Sequence, residues 1–118
     1  MLITEVVGKK DKEKTFLKYF NKMTKKTKIG LIQLKISKNY DKNIKNAISK
    51  IKNASNRGAK IICVPELFLS QYFCQSEKHY NFKLAEKIPS ETTKIFSKTA
   101  KQFSVILILS LFEKKISG

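Results

Sequence analysis

The sequence predicts an α/β fold, in which mostly parallel strands and helices alternate in the order β-α-β-α-β. Three apolar runs, KIGLIQLKI, KIICV and SVILILSLF, have the length and continuity of strands. The segments between them repeat apolar residues at helical spacing. The first strand, helix and second strand form one β-α-β unit, so these two strands should be parallel and joined by a right-handed crossover.

The first predicted unit is a β-α-β unit that spans residues 28–64. Its first strand is KIGLIQLKI, and its helix follows in YDKNIKNAISKIKNASN. Gly58 comes just after the helical pattern, where a glycine commonly ends a helix. KIICV does not alternate, so it predicts a strand buried on both faces, and Pro65 ends it because proline cannot donate to a ladder. The apolar residues that recur along the helix are Ile44, Ala47, Ile48, Ile51 and Ala54.

The second predicted unit adds one helix and one strand. Residues 75–89 are polar and irregular, which predicts a loop. Ser90 can cap a helix that starts near Glu91, since a serine hydroxyl accepts a hydrogen bond from the first turn. SVILILSLF is again a continuous apolar run and predicts the third strand. The predicted buried side of the helix consists of Ile95, Phe96, Thr99, Ala100 and Phe103.

The composition fits one folded domain with a strongly basic surface. The 118 residues carry a formal net charge of +16, and Arg57 is the only arginine among 25 basic residues. Nucleic-acid surfaces usually rely on arginine for bidentate and stacked contacts, so we interpret the lysines as solvent-facing and expect no specific nucleic-acid partner. A polyanion site stays open as the alternative, because a charge of this size supports non-specific binding.

Other protein classes are disfavoured by the short apolar runs and by the scarcity of ligand residues. No run approaches the roughly 20 residues of a membrane helix, so we expect no membrane association. Cys63 and Cys74 form neither a disulfide framework nor a metal-ligand spacing, and His79 is the only histidine. We therefore expect a cytoplasmic protein that uses no metal and no cofactor.

Residues 1–27 are interpreted as a basic N-terminal extension. They are dense in lysine, and we expect them to pack poorly on the domain that follows. A basic amphipathic helix at a membrane or partner surface is one alternative, because lysine and aromatic residues form separate stripes along residues 14–25. A mitochondrial presequence is another, although Asp11, Glu13 and the lack of arginine argue against it.

Glu66 is the candidate functional residue, because it is a carboxylate within the apolar stretch AKIICVPELFLSQYFC. An unpaired charge costs free energy in such surroundings. In open parallel α/β sheets, functional residues gather just beyond the carboxyl ends of strands, and Glu66 follows KIICV by two residues. It is therefore a candidate general base or orienting group at the rim of a cleft. A helix-capping or salt-bridged glutamate is the alternative.

Residues 28–118 resemble the nitrilase superfamily of carbon–nitrogen hydrolases. Four stretches carry the resemblance: KIGLIQLKIS, NIKNAISKIKNASNRGAKIICVPELF, QYFC and LAEKIPSETTKIFSKTAKQFSVILILSLFEK. Within the superfamily, the YFC after the PELF box, the LAEKIPSETT run and the SLFEK ending look most like N-carbamoylputrescine amidases. The resemblance implies that residues 28–118 are the N-terminal portion of an α-β-β-α sandwich, truncated relative to the family domain.

The resemblance also implies a reaction. Family members use a Glu–Lys–Cys triad, in which the glutamate of the PELF box corresponds to Glu66 and takes the proton from the cysteine thiol. The thiolate attacks an amide or ureido carbonyl, the lysine stabilises the oxyanion, and water hydrolyses the thioester. A carbamoylputrescine-like substrate would give putrescine, carbon dioxide and ammonia. The family lysine and cysteine lie beyond Gly118, so we expect this chain alone to be inactive.

The two cysteines of the chain and the lysines after its third predicted strand do not match the missing triad members. Cys63 lies inside a predicted strand, and Cys74 lacks the surroundings of the family's nucleophile. Lys114 and Lys115 follow the third strand and come too early to be the family lysine.

Phe68 and Tyr72 follow Glu66 closely and are candidates for lining the substrate pocket; the alternative is that they pack in the core. The resemblance further implies a small-molecule substrate, either a carbamoyl amine or an amide, and a homo-oligomer for the full-length enzyme. A non-catalytic basic α/β module that binds nucleic acid or a partner protein stays open as the alternative function.

Overall fold

The computed structural model describes residues 2–7, 27–74 and 78–115. The described residues contain four strands, two α-helices and one short 3-10 helix. The strands are β1 (Leu2–Val7), β2 (Ile29–Leu31), β3 (Ile61–Cys63) and β4 (Ile106–Phe112). The helices are α1 (Tyr40–Asn56), the 3-10 helix (His79–Leu84) and α2 (Glu91–Phe103).

The four strands form one sheet in the order β1-β4-β3-β2. β2, β3 and β4 are parallel, and Ile62 stands opposite Gly30 on one side and Leu107 on the other. Helix α1 connects β2 to β3, and α2 precedes β4. The predicted α/β fold with β-α-β-α-β order is therefore confirmed, although the ladder of the first run is limited to Ile29–Leu31.

Side-chain caps explain where the two α-helices begin. At α1, the Asn39 side chain accepts a hydrogen bond of 2.8 Å from the Lys42 amide. At α2, the Ser90 hydroxyl accepts from the Thr93 amide at 3.2 Å, and the Thr93 hydroxyl accepts from the Ser90 amide at 2.8 Å. The chain leaves α1 through Gly58, whose φ of +89° favours glycine, so the predicted stop is confirmed.

The core lies between the two helices and one face of the parallel strands. Ile62, Leu107 and Leu109 are fully buried there. Helix α1 approaches the sheet closely at Gly30, because a Cβ at that position would stand 3.1 Å from the Ala54 Cβ. The core cluster consists of Ile32, Ala47, Ile51, Ala59, Ile62, Val64, Phe68, Leu69, Phe96, Ala100, Val105, Leu107, Leu109 and Leu111.

The opposite face of the parallel strands is apolar and only partly covered. We call it the outer face; it carries Ile29, Leu31, Ile61, Cys63, Ile106 and Ile108. Leu31 is 80% exposed and Ile29 is 59% exposed, whereas the other four are half-buried. The prediction that KIICV is buried on both faces is therefore wrong for its outer side. A continuous apolar run shows that both faces favour burial and does not show that both are covered.

Residues 2–7 correct the interpretation of the N-terminal extension. They form β1, which pairs antiparallel with β4, so that Leu2 stands opposite Phe112 and Val7 opposite Leu107. The expectation of poor packing is wrong for these residues, because the free edge of β4 offers backbone donors and acceptors that a strand can satisfy. The helix and presequence alternatives for residues 14–25 lie outside the described residues.

The connection before α2 is more regular than predicted. Residues 79–84 form the 3-10 helix within the segment 75–89 that was expected to be irregular. None of the helices in the described ranges combines the length and apolarity needed to cross a membrane.

Candidate functional site

Glu66 lies in the turn that follows β3, three residues after Cys63. β3 is an interior strand between β4 and β2. The turn after it therefore lies at the middle of the sheet edge at which the parallel strands end. The Glu66 side chain is exposed. The ion pair found among the described residues joins Glu91 and Lys94 and does not involve Glu66. Glu66 therefore occupies a position typical of functional groups in α/β sheets, and its role as general base stays a prediction.

Apolar side chains after Glu66 anchor the turn in the core. Leu67, Phe68 and Leu69 are all buried, although Glu66 itself is exposed. Leu67 has a φ of 49°, in the left-handed region that costs a non-glycine residue about 1 kcal/mol or more. Burial of the leucine and its neighbours offsets that cost, which holds the turn in one conformation.

Phe68, a candidate pocket residue, lies in the core. Its side chain is fully buried, and its ring packs edge-on against Phe96 with centroids 5.2 Å apart and an interplanar angle of 84°. Phe68 thus occupies the position that the core-packing alternative gave it, and it has no exposed surface for a ligand. Its contact with the site is indirect, because it fixes the backbone two residues after Glu66.

Asn43 ties the turn to helix α1. Its side-chain amide donates to the Leu69 carbonyl at 2.9 Å and to the Ser37 carbonyl at 2.8 Å. Its side-chain oxygen accepts from the Ser37 amide at 2.9 Å. Asn43 is 1% exposed, so these groups have little access to water as a substitute partner. One side chain therefore joins helix α1, the segment after β2 and the turn that carries Glu66.

Sequence reasoning missed Asn43, although a signal was present. Asn43 lies four residues before Ala47 and eight before Ile51, so it falls on the buried stripe of α1. A polar residue on a buried stripe must find hydrogen-bond partners. The sequence alone therefore indicates that the Asn43 side chain bonds to another part of the chain.

Tyr72 lies on the surface close to Glu66 and Cys74. Its side chain is half exposed. The negative charge of Glu66, followed by the charge of Cys74 and a hydrogen bond with Cys74, raises the pKa of the Tyr72 phenol. Glu66, Tyr72 and Cys74 therefore come together at the carboxyl edge. Cys63 lies apart, half-buried in β3, where its thiol donates to the Val64 carbonyl at 3.6 Å.

A second cluster surrounds Glu86 at the same edge of the sheet. The Tyr40 hydroxyl donates to the Glu86 Oε1 at 2.6 Å, and the Thr92 hydroxyl donates to the same oxygen at 2.9 Å. The Glu86 backbone is held on the end of β4, because its amide donates to the Phe112 carbonyl at 2.8 Å. Partial burial, together with the Glu86 hydrogen bond and charge, raises the pKa of Tyr40 to about 12. Tyr40 is therefore a neutral donor at ordinary pH.

Glu86 lines a small pocket of about 30 Å³, which is room for about one water molecule. The polar residues of this Glu86 pocket are Tyr40, Ser70, Glu86 and Ser110. Its apolar walls are formed by Leu67, Leu69, Phe73, Leu84, Leu111 and Phe112. Sequence reasoning missed the pocket because Glu86 lies in a polar segment and its partner Tyr40 is 46 residues away.

The described residues bring no three His, Cys, Asp or Glu side chains together as metal ligands.

Comparisons with known proteins converge on one family. A family model described as carbon–nitrogen hydrolase matches residues 28–118. The chain is 42% identical to omega-amidase NIT2 of Homo sapiens over 81 residues, which cover 69% of this chain and 28% of that protein. It is 35% identical to citrullinase of Francisella tularensis over 88 residues, which cover 74% of this chain and 31% of that protein.

A solved structure agrees with these sequence matches. The crystal structure of a carbon–nitrogen hydrolase from Helicobacter pylori G27 is similar with a TM-score of 0.70 at 32% identity. The similarity covers 76% of this chain and 31% of that chain. The chain thus spans less than a third of the length of the relatives it matches.

Proposed function

Because the chain belongs to the carbon–nitrogen hydrolase family, we propose that it provides the Glu66 part of an amidase active site. The enzyme would hydrolyse a non-peptide C–N bond in a small molecule. The observation that supports this best is the place of Glu66, an exposed carboxylate at the carboxyl end of an interior parallel strand, within the PELF box.

Glu66 is suited to accept a proton. A carboxylate that is exposed and unpaired among the described residues keeps its lone pairs available. In the mechanism that the family resemblance implies, it takes the proton of a cysteine thiol, and the thiolate attacks the substrate carbonyl. A lysine stabilises the oxyanion, and water hydrolyses the thioester. We propose that this cysteine and lysine come from polypeptide outside the 118 residues or from another chain.

The surroundings of Glu66 would act on its position and on the substrate in different ways. Asn43 and Phe68 act as positioning residues, because Asn43 donates to the Leu69 carbonyl of the turn and Phe68 packs on Phe96 in the core. Tyr72 is exposed beside Glu66 and is the better candidate for touching a substrate.

For the substrate, we propose a small molecule with a terminal ureido or amide group, and N-carbamoylputrescine in particular. The motifs YFC, LAEKIPSETT and SLFEK support the carbamoylputrescine branch. The relatives leave two chemistries to compare, since the name citrullinase points to a ureido carbonyl and the name omega-amidase to an amide carbonyl. Hydrolysis of N-carbamoylputrescine would give putrescine, carbon dioxide and ammonia.

We further propose that the full-length enzyme is a homo-oligomer. We also propose that a second sheet covers the outer face, as in the sandwich fold that the resemblance implies. A cytoplasmic location is proposed from the sequence, because its two cysteines form no disulfide framework.

The experiment is a chimera in which residues 28–118 replace the matching segment of Homo sapiens omega-amidase NIT2. Ammonia release is measured from N-carbamoylputrescine, from citrulline and from a small terminal amide. We expect turnover in the chimera and a loss of about 100-fold or more in kcat with Glu66→Gln, the usual range for a general base. Glu91→Gln is the matched control, because it makes the same change on an exposed residue of α2.

Three results would contradict parts of the proposal. Full activity in the Glu66→Gln chimera would show that Glu66 is not the base. Ammonia release by the 118-residue chain alone, lost on Glu66→Gln, would show that the chain already holds its nucleophile. Preference for the amide over both ureido compounds, relative to the parent enzyme, would refute the carbamoylputrescine assignment.

A further inference from the structure

We propose that Glu86 is a further positioning residue, which holds the turn that carries Glu66 by means of helix α1. The part of this inference that concerns the turn uses only contacts of the described residues. The part that concerns catalysis rests on the proposed function of Glu66, and the experiment below measures the two parts separately.

The Glu86 carboxylate connects the first turns of both α-helices. Tyr40, the first residue of α1, donates its hydroxyl proton to the Glu86 Oε1 at 2.6 Å. Thr92, the second residue of α2, donates to the same oxygen at 2.9 Å. Helix N-termini carry partial positive charge, which favours a carboxylate beside them. The bond also satisfies the Thr92 side chain, which is only 2% exposed and has little access to water.

The backbone of Glu86 is fixed separately on the end of β4. Its amide donates to the Phe112 carbonyl at 2.8 Å, and its carbonyl accepts from the Lys114 amide at 2.7 Å. Lys87 and Lys114 adjoin Glu86, but neither forms an ion pair with its carboxylate among the described residues. The strand therefore sets where Glu86 stands, and the two hydroxyls are the partners that its carboxylate holds.

Helix α1 passes this constraint on to the turn. Tyr40 and Asn43 lie in the same first turn of α1, three residues apart. The Asn43 side chain donates at 2.9 Å to the carbonyl of Leu69, which comes three residues after Glu66. The backbone hydrogen bonds of a helix keep neighbouring residues in a fixed relation. A displacement of Tyr40 would therefore displace Asn43 and the turn that it holds.

The turn and the residues around Glu86 also line a common pocket. Leu67, Leu69 and Ser70 of the turn face the same small space as Tyr40 and Glu86. That space is about 30 Å³, room for about one water molecule, so the two groups of residues pack closely around it. Movement of Tyr40 would thus act on the turn by direct packing as well as by way of the helix.

A general base must stand within hydrogen-bond reach of the proton that it accepts. Small displacements of such a group reduce the rate of the chemical step strongly, because the reacting atoms are no longer aligned. Loss of the Glu86 carboxylate should therefore loosen the turn locally and lower kcat more than it alters substrate binding.

The first measurement is amide hydrogen exchange of the 118-residue chain, followed by NMR. The Ser70 amide reports on the turn, because it donates to the Leu67 carbonyl at 3.3 Å. The Ala59 amide reports on the region after α1, because it donates to the Ala54 carbonyl at 3.0 Å. Glu86→Ala should speed exchange of the Ser70 amide about tenfold and leave that of the Ala59 amide unchanged.

Three variants accompany Glu86→Ala. Glu86→Gln keeps an oxygen that accepts from both hydroxyls, so it should speed Ser70 exchange only about threefold. Tyr40→Phe removes one donor and should also speed it about threefold; it takes the place of Glu86→Ala if that variant does not fold. Glu91→Ala is the matched control, because it removes an exposed carboxylate from the first turn of α2 and should change neither amide.

The second measurement is kcat and KM of the chimera described above. Glu86→Ala should lower kcat about tenfold or more and leave KM within about twofold, the pattern of an interaction lost in the transition state. Tyr40→Phe should lower kcat about threefold. Combining it with Glu86→Ala should lower kcat no further than Glu86→Ala alone, because both act by way of the same bond.

The inference is overturned if Glu86→Ala speeds Ser70 and Ala59 exchange equally, or speeds neither. Fully independent effects of Glu86→Ala and Tyr40→Phe on kcat would overturn the route by way of α1. Local loosening with an unchanged kcat, in a chimera whose activity depends on Glu66, would overturn the catalytic part. If the chimera is inactive, or Glu66→Gln leaves it active, the proposed function fails, and hydrogen exchange alone decides whether Glu86 positions the turn.

Discussion

Replacing Asn43 by alanine should destabilise the protein far more than any other asparagine substitution in α1. The change removes two donors from the carbonyls of Ser37 and Leu69 and one acceptor from the Ser37 amide. Each such bond contributes about 1 kcal/mol net, and groups left buried without partners cost more. Alanine is the better helix former and returns about 0.6 kcal/mol. The net loss should be about 2–3 kcal/mol.

The assay is reversible thermal or urea unfolding followed by circular dichroism. For a chain of this size, that loss corresponds to a decrease in Tm of about 10 °C. Asn53→Ala is the matched control, because Asn53 is exposed on the same helix and should change the stability by less than about 0.5 kcal/mol. If Asn43→Ala is as mild as Asn53→Ala, the side chain does not carry the connection between α1 and the turn.

Three other perturbations test the rest of the fold. Gly30→Ala should lower the free energy of unfolding by about 1–3 kcal/mol, because the new Cβ would stand 3.1 Å from the Ala54 Cβ. The measurement is urea unfolding, and an unchanged urea midpoint would mean that α1 shifts freely. The pKa of Tyr40 is raised to about 12 in the folded protein. The stabilisation that the protonated Tyr40 hydroxyl gives the folded state is therefore complete below pH 10 and is lost as the pH rises towards 12. Wild type should therefore lose more stability than Tyr40→Phe between pH 9 and pH 11.5, and parallel losses would contradict this. Deletion of residues 2–7 should lower the Tm by several degrees, because it frees the edge of β4; an unaltered Tm would show that β1 adds nothing.

The position of Glu66 was predictable because the signals that determine it are local. A continuous apolar run, a proline and a carboxylate within KIICVPE define a strand, its end and a polar group just beyond it. The caps of α2 and the stop of α1 at Gly58 were local in the same way. Asn43 was also within reach, since the helical period alone places it on the buried stripe.

The features that were missed depend on contacts between distant parts of the chain. β1 pairs with β4 across nearly the whole sequence, and no periodicity within residues 2–7 reports such a partner. The Tyr40–Glu86 bond likewise joins two segments that are unremarkable separately. The outer face was misjudged because an apolar strand shows a preference for burial, whereas coverage depends on what else packs there.

The outer face has a consequence for handling the protein. Ile29 and Leu31 contribute little to the core cluster, which lies on the helix side of the sheet. Polar replacements there, such as Ile29→Thr and Leu31→Lys, should reduce the exposed apolar surface while leaving the internal packing intact. The two sides of the same strands can thus be engineered separately, because the helix side carries the core and the outer face does not.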